Sequence, residues 1–229
     1  MTVPRIRPPA VQAGDTVGII APAGVVDRVS LERAIQALHE QGLRTKTYRD
    51  IFAKHGFLAG DDASRAAELN AAFADPEVTA VLPARGGYGC LRLVDRLDYD
   101  IIAAHPKVFV GFSDNTVLHA AITRHANLVT FHGPHLSDGW GRSAGPDELT
   151  AEWYWGCLRA NDVSYPRQLH ESGMQAMIGG QAEGEIVGGN LALVGALLGT
   201  PYEPPFRDNL LLIEDVNEPP YRVDRLLTQ

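Results

Sequence analysis

Cysteine is scarce in this chain. The two thiols among 229 residues, Cys90 and Cys157, are too few for a disulfide framework and too far apart for a zinc-ligand spacing. They are expected to behave as small apolar residues in a reducing compartment. No apolar run approaches the roughly 20 residues that a membrane span needs. Met1 to Ala10 contains no apolar stretch of the signal-peptide kind, so a cytoplasmic protein is expected. There is no Lys/Arg cluster and the net charge is −8, which argues against nucleic acid and anionic membrane as partners. No G-x-G-x-x-G occurs and no internal repeat is evident. What is present is the composition of an ordinary globular protein, 45% apolar and 21% charged, long enough for one large or two small domains.

Short apolar runs alternate with helical periodicity. Thr16-Val-Gly-Ile-Ile-Ala-Pro reads as a strand buried on both faces. Leu31, Ile35 and Leu38 mark a helix that Gly42 ends. Residues 43–48 suit a second strand, and Asp61 or Asp62 caps a helix over 63–74. A strand from Val78 follows, then a helix through Leu91, Val94 and Leu97. Strand 108–110, helix 114–125 and strand 128–131 complete a pattern that argues for a parallel α/β sheet. From 134 the texture turns irregular, with a Trp-containing helical piece at 147–159. A second unit opens at Gly184-Glu-Ile-Val-Gly-Gly-Asn190, continues as a helix over 191–198 and reaches the strand at Leu210. The division expected is 1–145, a connection 146–181, and 182–229. Pro219-Pro220 starts a last helix correctly, and its apolar stripe runs to the final residue without a cap, so the second domain is expected to be truncated.

The most informative run is Val108-Phe-Val-Gly-Phe-Ser-Asp-Asn. A serine on a sharp strand-to-helix turn is held away from the backbone, with N–H groups of the helix start near a developing oxyanion. The run lacks the second glycine of G-x-S-x-G, and a plain N-cap role for Ser113 fits it equally well. Arg85-Gly86-Gly87-Tyr88-Gly89 follows a strand at the edge where α/β proteins bind ligands. Its glycines allow close backbone approach, and Arg85 could pair with a substrate carboxylate; a tight turn with a surface arginine is the simpler alternative. Glu214 and Asp215 end an apolar strand, where a carboxylate could orient an imidazole. Asn190 could contact substrate or merely cap its helix. His132-Gly-Pro-His135 could ligate a metal, but no third ligand follows at a matching spacing, and a Pro-kinked loop explains the pair more simply.

Six stretches, in order, resemble the serine LD-carboxypeptidases, which include the murein tetrapeptide carboxypeptidases and the microcin C immunity hydrolases. They are Val17-Gly-Ile-Ile-Ala-Pro-Ala-Gly, Arg85-Gly-Gly-Tyr-Gly with Arg92-Leu, Val110-Gly-Phe-Ser-Asp-Asn-Thr, His132-Gly-Pro, Glu185-Ile-Val-Gly-Gly-Asn-Leu and Leu212-Ile-Glu-Asp-Val-Asn-Glu-Pro-Pro-Tyr-Arg-Val-Asp-Arg. The resemblance implies an N-terminal parallel-sheet α/β domain of flavodoxin/Rossmann-like type plus a smaller, C-terminally truncated α/β domain. It implies a Ser-Glu-His triad in which Ser113 is the nucleophile and Glu214 the acid. The backbone N–H groups near Gly87 and of Asp114 would form the oxyanion hole, and Arg85, Gly86 and Asn190 would bind substrate. The family's histidine lies in a segment that the sequence does not contain. The implied reaction removes terminal D-alanine from a small muropeptide, with no cofactor or metal and a possible homodimer. A microcin-type peptidyl-nucleotide hydrolase would need an aromatic platform, for which Trp140, Trp153 or Trp155 could serve. A non-catalytic member is the third possibility, and replacement of the missing base by His132 or His135 the fourth.

Overall fold

A computed structural model describes residues 4–159 and 175–229. The expectation for residues 160–174 in the connection lies outside them. Five parallel strands form the main sheet in the order β2-β1-β3-β4-β5: β1 Thr16–Ile20, β2 Arg44–Lys46, β3 Val78–Pro83, β4 Val108–Gly111 and β5 Phe131–His132. This doubly wound order reverses direction between β1 and β3, the place where ligands gather in such sheets. Alternate residues of each strand feed two cores. Phe109 of β4 joins α2 (Asp62–Ala74), α3 (Tyr99–Ala104) and α4 (Thr116–His125) on one face. Val108 and Val110 join α1 (Arg28–Glu40) and α5 (Glu148–Arg159) on the other. Among the described residues, no helix is long and apolar enough to cross a membrane.

Local chemistry sets the helix starts. Asp27 and Asp61 each accept a bond from the backbone N–H three residues on, at 2.8 Å, leaving Asp62 in the first turn. Three expectations are corrected. The stretch 90–97 is two separate 3-10 turns, Cys90–Arg92 and Val94–Arg96, whose backbone bonds close over three residues, as from the Leu93 N–H to Cys90 O at 2.9 Å and the Arg96 N–H to Leu93 O at 2.8 Å. The helix from 114 begins as a 3-10 turn at Ser113–Asn115 and becomes α-helical at Thr116. The strand placed at 128–131 is only Phe131–His132, since the segment before it pairs with Ile6 instead. Helix α3 has no counterpart among the expected elements; it is six residues long and capped by Asp98.

The second unit pairs β6 (Ile186–Asn190) with β7 (Leu210–Glu214) in parallel, with Asn190 opposite Glu214, and places α6 (Leu191–Leu197) between them in sequence. The last helix, α7, is Pro220–Thr228. The unit docks on α4. Leu197 is fully buried in the first core, and the Asn190 N–H donates to Thr116 Oγ1 at 3.0 Å. Arg5 and Glu185 add an ion pair at 2.9 Å.

A buried pair fixes the end of β1. Glu68 Oε2 accepts from the Ala21 N–H at 2.9 Å and faces Arg49 Nη2 at 3.0 Å. Burial pushes the Glu68 carboxyl above the usual range. Replacing Arg49 with Met leaves that carboxylate uncompensated and is expected to cost about 3 kcal/mol in denaturant unfolding. An Arg49→Met/Glu68→Leu double variant is expected to recover most of the loss. Equal losses in the single and double variants would contradict this account of the pair.

Candidate active site

Ser113 sits where β4 ends and its backbone enters the left-handed region, φ 55. That conformation costs a β-carbon-bearing residue about 1–2 kcal/mol, so the surroundings must enforce it. They do so from three sides. Asp114 is buried and accepts the Cys90 N–H. Burial raises its carboxyl above the normal range. Asn115 is fully buried and donates its backbone N–H to Phe112 O at 3.1 Å. His119, one helical turn on, holds Gly111 O with Nε2 at 2.8 Å.

The glycine-rich loop closes on this turn. A β-carbon at Gly86 would stand 3.2 Å from Ser113 Cβ, 3.3 Å from Ser113 Oγ and 2.7 Å from His135 Cε1. Only glycine fits that space. Gly87 has φ +125, and a β-carbon there would stand 3.3 Å from the Gly24 backbone. The Arg85 guanidinium braces the loop through Nε to Gly86 O at 3.1 Å and Nη1 to Val25 O at 3.2 Å. Beside the loop lies an open cavity of about 510 Å³ lined by Gly24, Val25, Lys54, Gly56, Phe57, Arg85, Gly87 and Tyr88. Phe57 and Tyr88 meet edge to face at 5.5 Å, both largely exposed.

Glu214 ends β7, level with Asn190 at the end of β6. Among the described residues its Oε1 is buried without a partner, and burial, reinforced by Asp215, raises its carboxyl. Asn190 caps α6 through Oδ1 to the Leu193 N–H at 3.2 Å, and its Nδ2 donates to Asp215 at 3.2 Å.

The N-terminal model of the LD-carboxypeptidase family matches residues 17–133 and the C-terminal model residues 183–229. The chain belongs to the LD-carboxypeptidase family. It is 44% identical to the probable murein peptide carboxypeptidase of Bacillus subtilis over 97% of this chain and 69% of that one. It is 36% identical to the murein tetrapeptide carboxypeptidase of Pseudomonas aeruginosa over 93% of this chain and 70% of the other. Among solved structures, an MccF-like protein from Bacillus anthracis superposes with a TM-score of 0.83 at 30% identity, over 97% of this chain and 75% of that one.

Within this LD-carboxypeptidase fold, Ser113, Gly86 and the Gly87 loop come together at the carboxyl edge of the sheet. Asn190 and Glu214 lie at the matching ends of the second sheet, which the Asn190–Thr116 bond ties to the helix after Ser113. Two of the three candidate tryptophans are engaged within the fold. Trp140 is buried against Tyr154, and Trp155 carries the Arg159 guanidinium on its ring at 4.6 Å. Sequence reasoning missed the place of His135. Its ring is 1% exposed and stacks on Phe112 with centroids 4.4 Å apart. Nδ1 faces the Gly86 N–H and Asp138; Nε2 faces the Phe112 N–H and the Asn115 side chain. With both nitrogens engaged it is not a free base for Ser113. Among the described residues, no group of three His, Cys, Asp or Glu is arranged to hold a metal.

His119 gives the site a pH dependence. Burial lowers its pKa from 6.5 to about 3, with His132 and His135 adding to the effect. A base depressed in the folded state contributes its stability fully above pH 6.5 and loses it as the pH falls toward 3, because the unfolded chain takes the proton first. Between pH 7 and pH 5 this group is expected to cost about 2 kcal/mol, and a His119→Gln variant is expected to lose less over the same range. Identical pH profiles by urea unfolding would contradict the neutral, buried assignment.

Proposed function

We propose that this chain carries the serine-peptidase chemistry of its family, hydrolysing the amide between an L-configured centre and the terminal D-alanine of a murein tetrapeptide. The observation that carries the reading is Ser113, held at φ 55 against a glycine that has no room for a side chain, in a chain 44% identical to a probable murein peptide carboxypeptidase. Ser113 Oγ attacks the carbonyl carbon. The Gly87 and Asp114 N–H groups take up the charge on the carbonyl oxygen. An imidazole oriented by Glu214 accepts the serine proton and returns it to the departing D-alanine nitrogen; water then cleaves the acyl-serine. Support for Glu214 comes from its buried Oε1, which has no partner among the described residues and which an imidazole N–H would satisfy. The imidazole is assigned to no residue of this chain.

Substrate chemistry agrees with the cavity beside Gly87. Lys54 lines it, and Arg85 keeps Nη2 outside its two backbone bonds. Two cations at one cavity suit a peptide bearing free carboxylates. The same reading places the reaction in the cytoplasm, in peptidoglycan recycling.

The test is D-alanine release from L-Ala-γ-D-Glu-meso-diaminopimelyl-D-Ala by this chain and by its Ser113→Ala variant. With imidazole added to supply the base, release by the first and none above background by the second is expected. Release that survives Ser113→Ala, or no imidazole-dependent release from a folded sample, would overturn the reading.

A further inference from the structure

Gly86 is anchored at both ends of its backbone. Its carbonyl oxygen accepts from the Gly24 N–H at 3.2 Å and from Arg85 Nε at 3.1 Å. Its N–H donates to His135 Nδ1 at 3.1 Å. In a trans peptide the Gly87 N–H points opposite to the Gly86 carbonyl, so whatever fixes residue 86 also aims the Gly87 donor. We propose that His135 is a positioning residue: its buried imidazole ties the Gly86 N–H to the Phe112–Asn115 turn and so sets the Gly86–Gly87 peptide against Ser113 Oγ. The inference rests on the reading of Ser113 as the nucleophile.

A neutral imidazole has one lone pair and one N–H, yet four groups face this one. Two arrangements satisfy it. In the first, Nδ1 accepts the Gly86 N–H, and Nε2–H donates to the side-chain oxygen of Asn115, whose amide lies 2.7 Å away and can be turned either way. In the second, Nδ1–H donates to Asp138 Oδ2 at 3.1 Å, and Nε2 accepts from Asn115 and from the Phe112 N–H at 3.3 Å. The first leaves the Phe112 N–H without the ring as acceptor, and the second leaves the Gly86 N–H without it. Gly86 is buried and has no other acceptor among the described residues, whereas Phe112 is only half-buried with a long 3.3 Å contact and the Asp138 side chain is 51% exposed to solvent. An orphaned buried donor is the costlier loss, so the first arrangement holds. Contact points the same way. The ring edge and Ser113 press on the same face of Gly86, so displacing the ring changes how closely Gly86 can approach Ser113.

Two variants separate positioning from mere packing. His135→Phe keeps an aromatic ring on Phe112, somewhat larger than the imidazole, but has no acceptor. His135→Asn sets an oxygen near the Nδ1 position. D-alanine release with imidazole added, thermal unfolding and the amide hydrogen exchange of Gly86 are measured on the full chain. In His135→Phe, kcat is expected to fall about 100-fold, the scale of one lost oxyanion donor, with KM within about threefold. Its Gly86 amide is expected to exchange at least about tenfold faster, and His135→Asn to recover most of both losses. An unchanged Gly86 exchange rate, a wild-type kcat in His135→Phe, or equal loss of kcat and melting temperature in both variants would overturn the proposal. A wild-type chain that releases no D-alanine even with imidazole added would remove the hydrolase reading by itself. The exchange comparison would then still decide whether His135 holds Gly86: faster exchange in His135→Phe sustains the proposal and equal exchange ends it.

Discussion

The approach of Gly86 to Ser113 is the constraint on which the site depends. Two loops from different strand ends come within contact because one of them offers no β-carbon, and the space it would occupy is filled by Ser113 and by the edge of His135. Everything nearby maintains that approach. Asp114 reaches across to the Cys90 N–H, joining the loop that follows the glycines to the turn that carries the serine. His119 holds the strand behind it through Gly111 O. The left-handed backbone of Ser113 is thereby imposed from outside, since a serine gains nothing from it alone.

A second close approach joins the two sheets. Gly189, at φ +130, lies so near Thr116 that a β-carbon would fall 2.7 Å from its hydroxyl oxygen. Thr116 is the first residue of the helix that Ser113 introduces, and its Oγ1 also takes the Asn190 N–H. The carboxyl ends of β6 and β7, with Asn190 and Glu214 side by side, are therefore referenced to the nucleophile turn through one threonine. A serine and a carboxylate on separate units can cooperate only if some such contact fixes their relation.

Much of this was readable in the chain because it is local. The strands at Thr16, Val78 and Val108 announce themselves by continuous apolar residues, and the serine turn and the glycine loop follow them within a few positions. The 90–97 stretch reads as a helix because Leu91, Val94 and Leu97 keep the period, but it forms two 3-10 turns, and the Asp114 carboxylate that holds the start of the first comes from 24 residues on, which no local pattern can announce. His135 was legible only as half of a histidine pair. Its partners Gly86, Phe112 and Asn115 lie 49, 23 and 20 residues away, so its environment is a product of the fold. The burial that raises Glu214 is of the same kind: the sequence shows a carboxylate after a strand, but not that one oxygen is sealed from water.

The central claim is that Ser113 is the nucleophile, presented by its turn and activated when an imidazole reaches it. Treatment of the folded chain with a fluorophosphonate in the presence of imidazole, followed by peptide mapping in a mass spectrometer, tests it most directly. The account expects a single phosphonyl adduct with loss of fluoride, on the peptide that contains Ser113 and on no other serine. A folded chain that acquires no adduct, or acquires it elsewhere, would contradict it.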